Sequence, residues 1–173
     1  MRHKLTLVLG GAASGKSAWA EEYVANTGKP RSYLATSQVL DGEMHEKVAR
    51  HLSRRGPNWR TIEAPLDLGP SLAGLGADEV CLIDCATMWL SNHLLAEHDL
   101  EIAHGELLKA LQDCAAEVVI VSNEVGQGIV PENALARQFR EAQGRLNIVL
   151  AKQADRVVQV VAGLPIVLKG EMS

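Results

Sequence analysis

Aromatic side chains are scarce in this chain: one Phe, two Tyr and three Trp among 173 residues. A core must therefore be built from Leu, Val, Ile and Ala, and no row of rings is available on which the bases of a single strand could stack. An excess of positive charge is missing as well. Lys and Arg number 17 against 21 Asp and Glu, for a net charge of −4. No broad basic surface argues for nucleic acid, so any phosphate must be held by a local cluster. Cysteine is limited to Cys81, Cys85 and Cys114, without a C-x-x-C pair. Cys81 and Cys85 flank an apolar segment, as buried free thiols of a reducing cytosol do. Long apolar runs are lacking too. After the basic Met1-Arg2-His3-Lys4, only Leu5–Leu9 is apolar before glycine intervenes, too short for a signal-peptide core or a membrane helix. No repeat, low-complexity tract or linker divides residues 1–173. One soluble, cytoplasmic domain is the expectation.

What is present begins at residue 10. Gly10-Gly11-Ala12-Ala13-Ser14-Gly15-Lys16-Ser17 fits the pattern G-x-x-x-x-G-K-[ST]. A β-prone stretch, Leu5–Leu9, precedes it and a helix-prone one, Ala18–Tyr23, follows. Strand, glycine turn and helix form the context in which backbone N–H groups close around a phosphate at a helix N-terminus. Lys16 would reach the β- and γ-phosphates, and the Ser17 hydroxyl would hold Mg2+.

The rest alternates. Strands are expected at 32–36, 59–63, 79–84 and 117–122, and helices at 16–26, 42–54, 86–97, 100–115 and 132–153. Asp41 is placed to cap the helix at 42–54, and Gly56-Pro57 to close it. Two last strands, 156–161 and 165–168, suggest a hairpin around Ala162-Gly163. Glu79–Asp84 and Glu117–Ser122 are near-continuous apolar runs, the mark of strands buried on both faces. The pattern predicts an α/β fold: a mostly parallel sheet flanked by helices, P-loop NTPase-like, with a C-terminal β-hairpin.

Four further features bear on the phosphate loop chemically. Asp84 ends the most apolar strand, where a carboxylate serves Mg2+ in P-loop proteins, the favoured reading; the alternative is a cap for the helix that starts at 86. His51 lies in the basic segment Lys47–Arg55, bordering the apolar stripe Met44, Val48 and Leu52. Neighbouring cations favour a neutral, nucleophilic imidazole. Read from residues alone, a solvated basic helix with an incidental histidine is the favoured reading. His3, His93, His98 and His104 read as surface or edge residues. The segment Ser122–Asn133, rich in Gly and polar groups, is either a substrate loop or a plain connection. It lacks the Lys and Asp of the N-K-x-D base-reading motif. Arg137, Arg140 and Arg145 either assist at phosphates or pair with Glu132 and Glu141.

Together, the phosphate loop, Tyr33-Leu34-Ala35-Thr36-Ser37-Gln38 with Asp41, Glu43 and Met44, His51, Trp59-Arg60-Thr61 with Glu63, and Asn123-Glu124-Val125-Gly126 through Ile129-Val130-Pro131-Glu132-Asn133 resemble the bifunctional adenosylcobinamide kinase / adenosylcobinamide-phosphate guanylyltransferase family of cobalamin biosynthesis. Leu135-Ala136-Arg137, Phe139-Arg140 and Gly144-Arg145 with Asn147 extend the likeness over nearly the whole length. The resemblance implies two reactions. ATP or GTP phosphorylates the aminopropanol hydroxyl of adenosylcobinamide. GTP then guanylylates a histidine, and the cobinamide phosphate takes the GMP to give adenosylcobinamide-GDP. The family's guanylylated histidine falls on His51. The resemblance also implies nucleotide contacts at Gly10, Gly11, Ala12, Ala13, Ser14, Gly15, Lys16, Ser17, Thr36, Ser37, Gln38, Leu52, Ser53, Arg54, Arg55, Glu63 and Asp84, with Mg2+ at Ser17 and Asp84, and a homotrimer. Family members can carry Glu where this chain has Asp84. The alternative is a simple P-loop small-molecule kinase in which His51 is inert.

Overall fold

The computed structural model describes residues 4–38 and 42–172, apart from the side chains of Met44, Lys47, Val48, His51 and Arg54. The expected Asp41 cap, the Met44/Val48 stripe and the surface reading of His3 lie outside the described residues.

Thirteen elements follow in order among the described residues: β1 (Leu5–Gly10), α1 (Lys16–Asn26), β2 (Arg31–Ala35), α2 (Gly42–Arg55), β3 (Trp59–Glu63), α3 (Gly69–Ala73), β4 (Val80–Asp84), α4 (Ala86–Leu95), α5 (Leu100–Asp113), β5 (Glu117–Asn123), α6 (Ala134–Gln153), β6 (Arg156–Val161) and β7 (Leu164–Lys169). They build one sheet in the order β3-β2-β4-β5-β1-β6-β7. All neighbours pair in parallel except β6 and β7, the expected antiparallel hairpin.

The apolar runs are explained by burial on both faces. In β4, Cys81 and Ile83 join a core layer with α3, α4, α5 and α6, whereas Val80 and Leu82 face the layer under α1. In β5, Val118 and Ile120 take the first layer, and Val119 and Val121 the second. Alternation along a strand requires this division, and two covered faces require both sets to be apolar.

Three details depart from expectation. The turn of helix at Gly69–Ala73 was unmarked in the sequence, because a short segment carries too little periodicity. The cap of α4 is Cys85, whose Sγ accepts from Met88 N, so Asp84 does not cap that helix. His93 is buried at 7% exposure, contrary to its surface reading. Its Nε2 lies 3.0 Å from Leu66 O, the same carbonyl that Trp89 Nε1 reaches at 2.7 Å. His98 is exposed and His104 is half-buried. No helix among the described residues is long and apolar enough to cross a membrane.

Candidate functional site

Parallel register sets the site. Gly10 pairs with Asn123, Ala35 with Asp84, and Ala35 also with Glu63. The C-terminal ends of β1, β2, β3, β4 and β5 therefore share one edge, where open α/β sheets bind their ligands. Asp84 is separated from the glycine loop by the single strand β5.

The loop between β1 and α1 is shaped for an anion. Gly15 adopts φ 90°, in the left-handed region. A Cβ there would stand 3.0 Å from Gly163 Cα. Gly163 N–H donates to Ser14 O at 2.8 Å, so the β6–β7 turn braces the loop from outside. Only glycine meets both demands at position 15. Lys16 is buried, and its Nζ donates to Gly11 O at 3.0 Å. Burial lowers its pKa; the nearby Cys85 and Asp84 oppose that shift. Ser17 is half-buried in the first turn of α1. Ser17 and Asp84 offer hard oxygens, the donor class of Mg2+.

Asp84 is held by a neighbour that sequence reasoning gave no role. Tyr33, on the adjacent β2, donates its hydroxyl to Asp84 Oδ2 at 2.9 Å. Burial first, then the Asp84 charge, pushes the Tyr33 phenol well above its ordinary pKa, so it stays a donor. Trp59 meets its ring edge-on at 6.2 Å between centroids, and Arg55 Cζ stacks 3.4 Å from the ring centroid. Nothing local marks Tyr33: an aromatic in a buried strand reads as core, and only the β2–β4 register brings its hydroxyl to Asp84. Beside it, Cys85 is pushed up to about 12 by burial and then by Asp84, which keeps a thiolate out of the chemistry.

The structure distributes the other expected residues unevenly. The Thr36 hydroxyl is committed to the Cys85 peptide, donating to its O at 2.7 Å and accepting from its N at 2.8 Å. It fastens the end of β2 to the end of β4. Ser37 and Gln38 are half-buried just beyond, whereas Glu63 is exposed at the end of the edge strand. Leu52 and Ser53 are exposed on α2. Arg55, at the end of α2, keeps Nε and Nη1 buried without a hydrogen-bond partner among the described residues. A buried guanidinium in that state is poised to take an anion. The side chains of His51 and Arg54 lie outside the described residues, although both positions belong to α2.

The loop after β5 is a built feature. Beneath it, Ser122, Gln143 and Asn147 form a buried polar network: Gln143 Nε2 donates to Ser122 Oγ and to Asn147 Oδ1, each at 2.9 Å. Asn147 Nδ2 donates to Asn123 O at 3.0 Å. From α6, Arg140 donates to Gly126 O and Gly128 O, and Arg137 to Pro131 O and Glu132 O. Only Arg145 makes an expected surface pair, with Glu141 at 3.2 Å. Between this loop, the glycine loop and the end of β6 lies a cavity of about 510 Å³.

A family profile described as cobinamide kinase / cobinamide phosphate guanyltransferase matches residues 6–168. The chain is 44% identical over 169 residues to a bifunctional adenosylcobalamin biosynthesis protein, CobP, of Pseudomonas aeruginosa, covering 95% of this chain and 97% of that protein. It is 41% identical over 181 residues to the corresponding protein CobU of Salmonella typhimurium, covering 95% and 99%. Among solved structures, an ATPase from a type III secretion system superposes with TM-score 0.56 at 11% identity, over 95% of this chain and 56% of that one. A Pyrococcus horikoshii protein gives TM-score 0.57 at 11% identity, over 100% and 90%. At such identities these two speak for the fold alone.

Proposed function

Because the chain belongs to the cobinamide kinase / cobinamide phosphate guanyltransferase family, we propose that it is a bifunctional enzyme of cobalamin biosynthesis. It transfers the γ-phosphoryl of ATP or GTP to the aminopropanol hydroxyl of adenosylcobinamide. It then moves GMP from GTP onto His51 as a phosphoramidate, with release of pyrophosphate. The cobinamide phosphate displaces the histidine and leaves as adenosylcobinamide-GDP.

One observation carries this reading. Arg55, at the end of the helix that bears His51, stacks on the tyrosine that holds Asp84. The α2 helix is thereby docked at the carboxylate edge of a phosphate cradle, and one bound triphosphate would face both kinds of chemistry. The cradle N–H groups and the Lys16 ammonium bind and orient phosphates, and Arg55 would neutralise charge at the opposite side. Thr36, Ser37, Gln38, Leu52, Ser53, Arg54 and Glu63 belong to this proposed nucleotide site through the family likeness. Mg2+, held by Ser17 and Asp84, would supply further neutralisation of phosphate charge when bound. The Tyr33 hydrogen bond supports the fit, since such partners orient carboxylates that ligate metals.

Tyr33→Phe deletes that hydrogen bond and keeps the ring that Arg55 and Trp59 pack against. Half-saturation by Mg2+, read calorimetrically on the nucleotide complex, is expected to rise about tenfold. Unchanged Mg2+ affinity would separate Tyr33 from the metal site.

The chain is proposed to act as a homo-oligomer, a trimer by the family likeness. Strand β7 is exposed throughout and carries Leu164, Ile166, Val167 and Leu168 on an open sheet edge, the kind of surface a partner strand or face covers. Light scattering should report a multiple of 18.6 kDa, and Ile166→Asp should yield monomer. A monomeric wild type at micromolar concentration refutes this part alone.

The decisive assay supplies adenosylcobinamide, Mg2+ and either ATP or GTP, with products resolved by mass. ATP alone should give the phosphate, and GTP should carry it to adenosylcobinamide-GDP. Neither product from the wild-type chain means the reading is wrong.

A further inference from the structure

We infer that Glu124 is the carboxylate that takes the proton of the acceptor alcohol during phosphoryl transfer, and that the cavity beside it receives the hydroxyl-bearing arm of that acceptor. The inference rests on the kinase half of the proposed function and names the group that this half requires.

Position comes first. Glu124 immediately follows β5, the strand adjacent to β1. Its backbone N–H donates to Gly10 O at 2.9 Å, which fixes it against the root of the phosphate loop. The 510 Å³ cavity is lined by Gly11–Ser14 on one side and by Glu124, Gln127 and Gln159 on the others. An arm bound there would meet the outer turn of the phosphate loop. Glu124 is the acidic side chain on that lining. Most of a corrinoid would remain outside; an arm ending in a hydroxyl is what the space suits.

Preorganisation is the second argument. The Gly126 N–H donates to Glu124 Oε1 at 2.6 Å, so the carboxylate is oriented by its own loop. Arg140 holds the carbonyls of Gly126 and Gly128, and the Ser122–Gln143–Asn147 network anchors the strand end beneath. Two arginines and a buried network are a large investment for a plain connection. They suit a group that must keep its geometry while charge moves.

The competing carboxylates are placed differently. Asp84 has Oδ2 engaged by Tyr33 and stands one strand farther from β1. Glu63 is exposed at the end of edge strand β3. Glu21, buried in α1, already has an interaction partner.

The step balances as written. The alcohol oxygen attacks the γ-phosphorus and forms the new O–P bond. The bond from that phosphorus to the bridging oxygen breaks, and nucleoside diphosphate departs with the electron pair. The hydroxyl proton passes to a Glu124 carboxylate oxygen and then to water. Because the transition state is loose, proton transfer is late, and the carboxylate also directs the hydroxyl in line.

Glu124→Gln keeps an oxygen to accept from Gly126 N–H and removes the basicity. With adenosylcobinamide and ATP, its phosphorylation kcat is expected to fall about 10²–10⁴-fold, with both KM values within about threefold of wild type. Covalent labelling of the protein by α-labelled GTP involves no alcohol proton and should persist. Glu124→Asp should recover part of the lost kcat. A Gln variant within about threefold of wild type in kcat overturns the assignment. So does a joint loss of phosphorylation, labelling and nucleotide binding, which would mark Glu124 as loop scaffolding. A wild type that labels itself yet phosphorylates no alcohol refutes the kinase half itself, an outcome distinct from either.

Discussion

Lys16→Met should abolish phosphoryl transfer, lowering kcat about 10³-fold or more, while the protein folds as well as wild type. The ammonium sits inside the glycine loop, bonded to Gly11 O at 3.0 Å, and burial already disfavours its charged form. In the absence of nucleotide this charge is a cost to the fold, because one backbone carbonyl replaces a full shell of water. Its proposed use is at the phosphates, where a fixed positive charge in a site of low dielectric would stabilise what water would screen. Methionine, one atom shorter, supplies a similar unbranched apolar stem but brings no charge. The expected signature is therefore a dead kinase with an unchanged or higher Tm by calorimetry. Lys16→Arg is not expected to rescue, since a planar fork does not fit a loop shaped around a single ammonium. A variant that retains a tenth of wild-type kcat or more would remove Lys16 from the reaction.

His51→Ala should eliminate covalent guanylylation and leave phosphorylation in place. Wild-type protein incubated with α-labelled GTP and then denatured should retain label that is lost in acid and stable in alkali, as a phosphoramidate is. Position 51 lies one turn before Arg55 and shares its face of α2. Arg55 is anchored on Tyr33 at the carboxylate edge. A nucleophile at that position would split one difficult exchange into two displacements at a phosphorus that the proposed cradle would hold. Label that survives in His51→Ala, or a wild type that acquires none while phosphorylating cobinamide, would reduce the protein to a simple kinase.

The two variants test opposite ends of one arrangement, and their sequence signals were unequal. Lys16 stands in a motif whose meaning is local: strand, loop and helix are contiguous, and only the bracing of the loop by Gly163 comes from a remote part of the chain. The apolar runs within 79–84 and 117–122 were equally legible, because a strand covered on both faces is apolar along most of its length. His51 was ambiguous, since a histidine among cations describes many exposed helices; the family likeness, not the residues, singled it out. Tyr33 and Glu124 were harder still. A tyrosine between Ser32 and Leu34 has the composition of a core strand, and its function depends on which strand lies alongside. Arg137 and Arg140 read either as aids at phosphates or as partners for nearby carboxylates, yet they hold carbonyls across the loop after β5. Their targets are set by how α6 packs over the strand ends.

What this sequence determined by itself was the cradle, the alternation of strands and helices, and the two-faced burial of the central strands. Each follows from neighbours in the chain or from a period of two or 3.6 residues. Only the tertiary structure decided that β5 lies between the glycine loop and Asp84, that Tyr33 grips that carboxylate, that Cys85 rather than Asp84 caps α4, and that Glu124 faces the phosphate loop across a cavity. Strand order and register join residues remote in sequence, and no local pattern encodes which strands will meet.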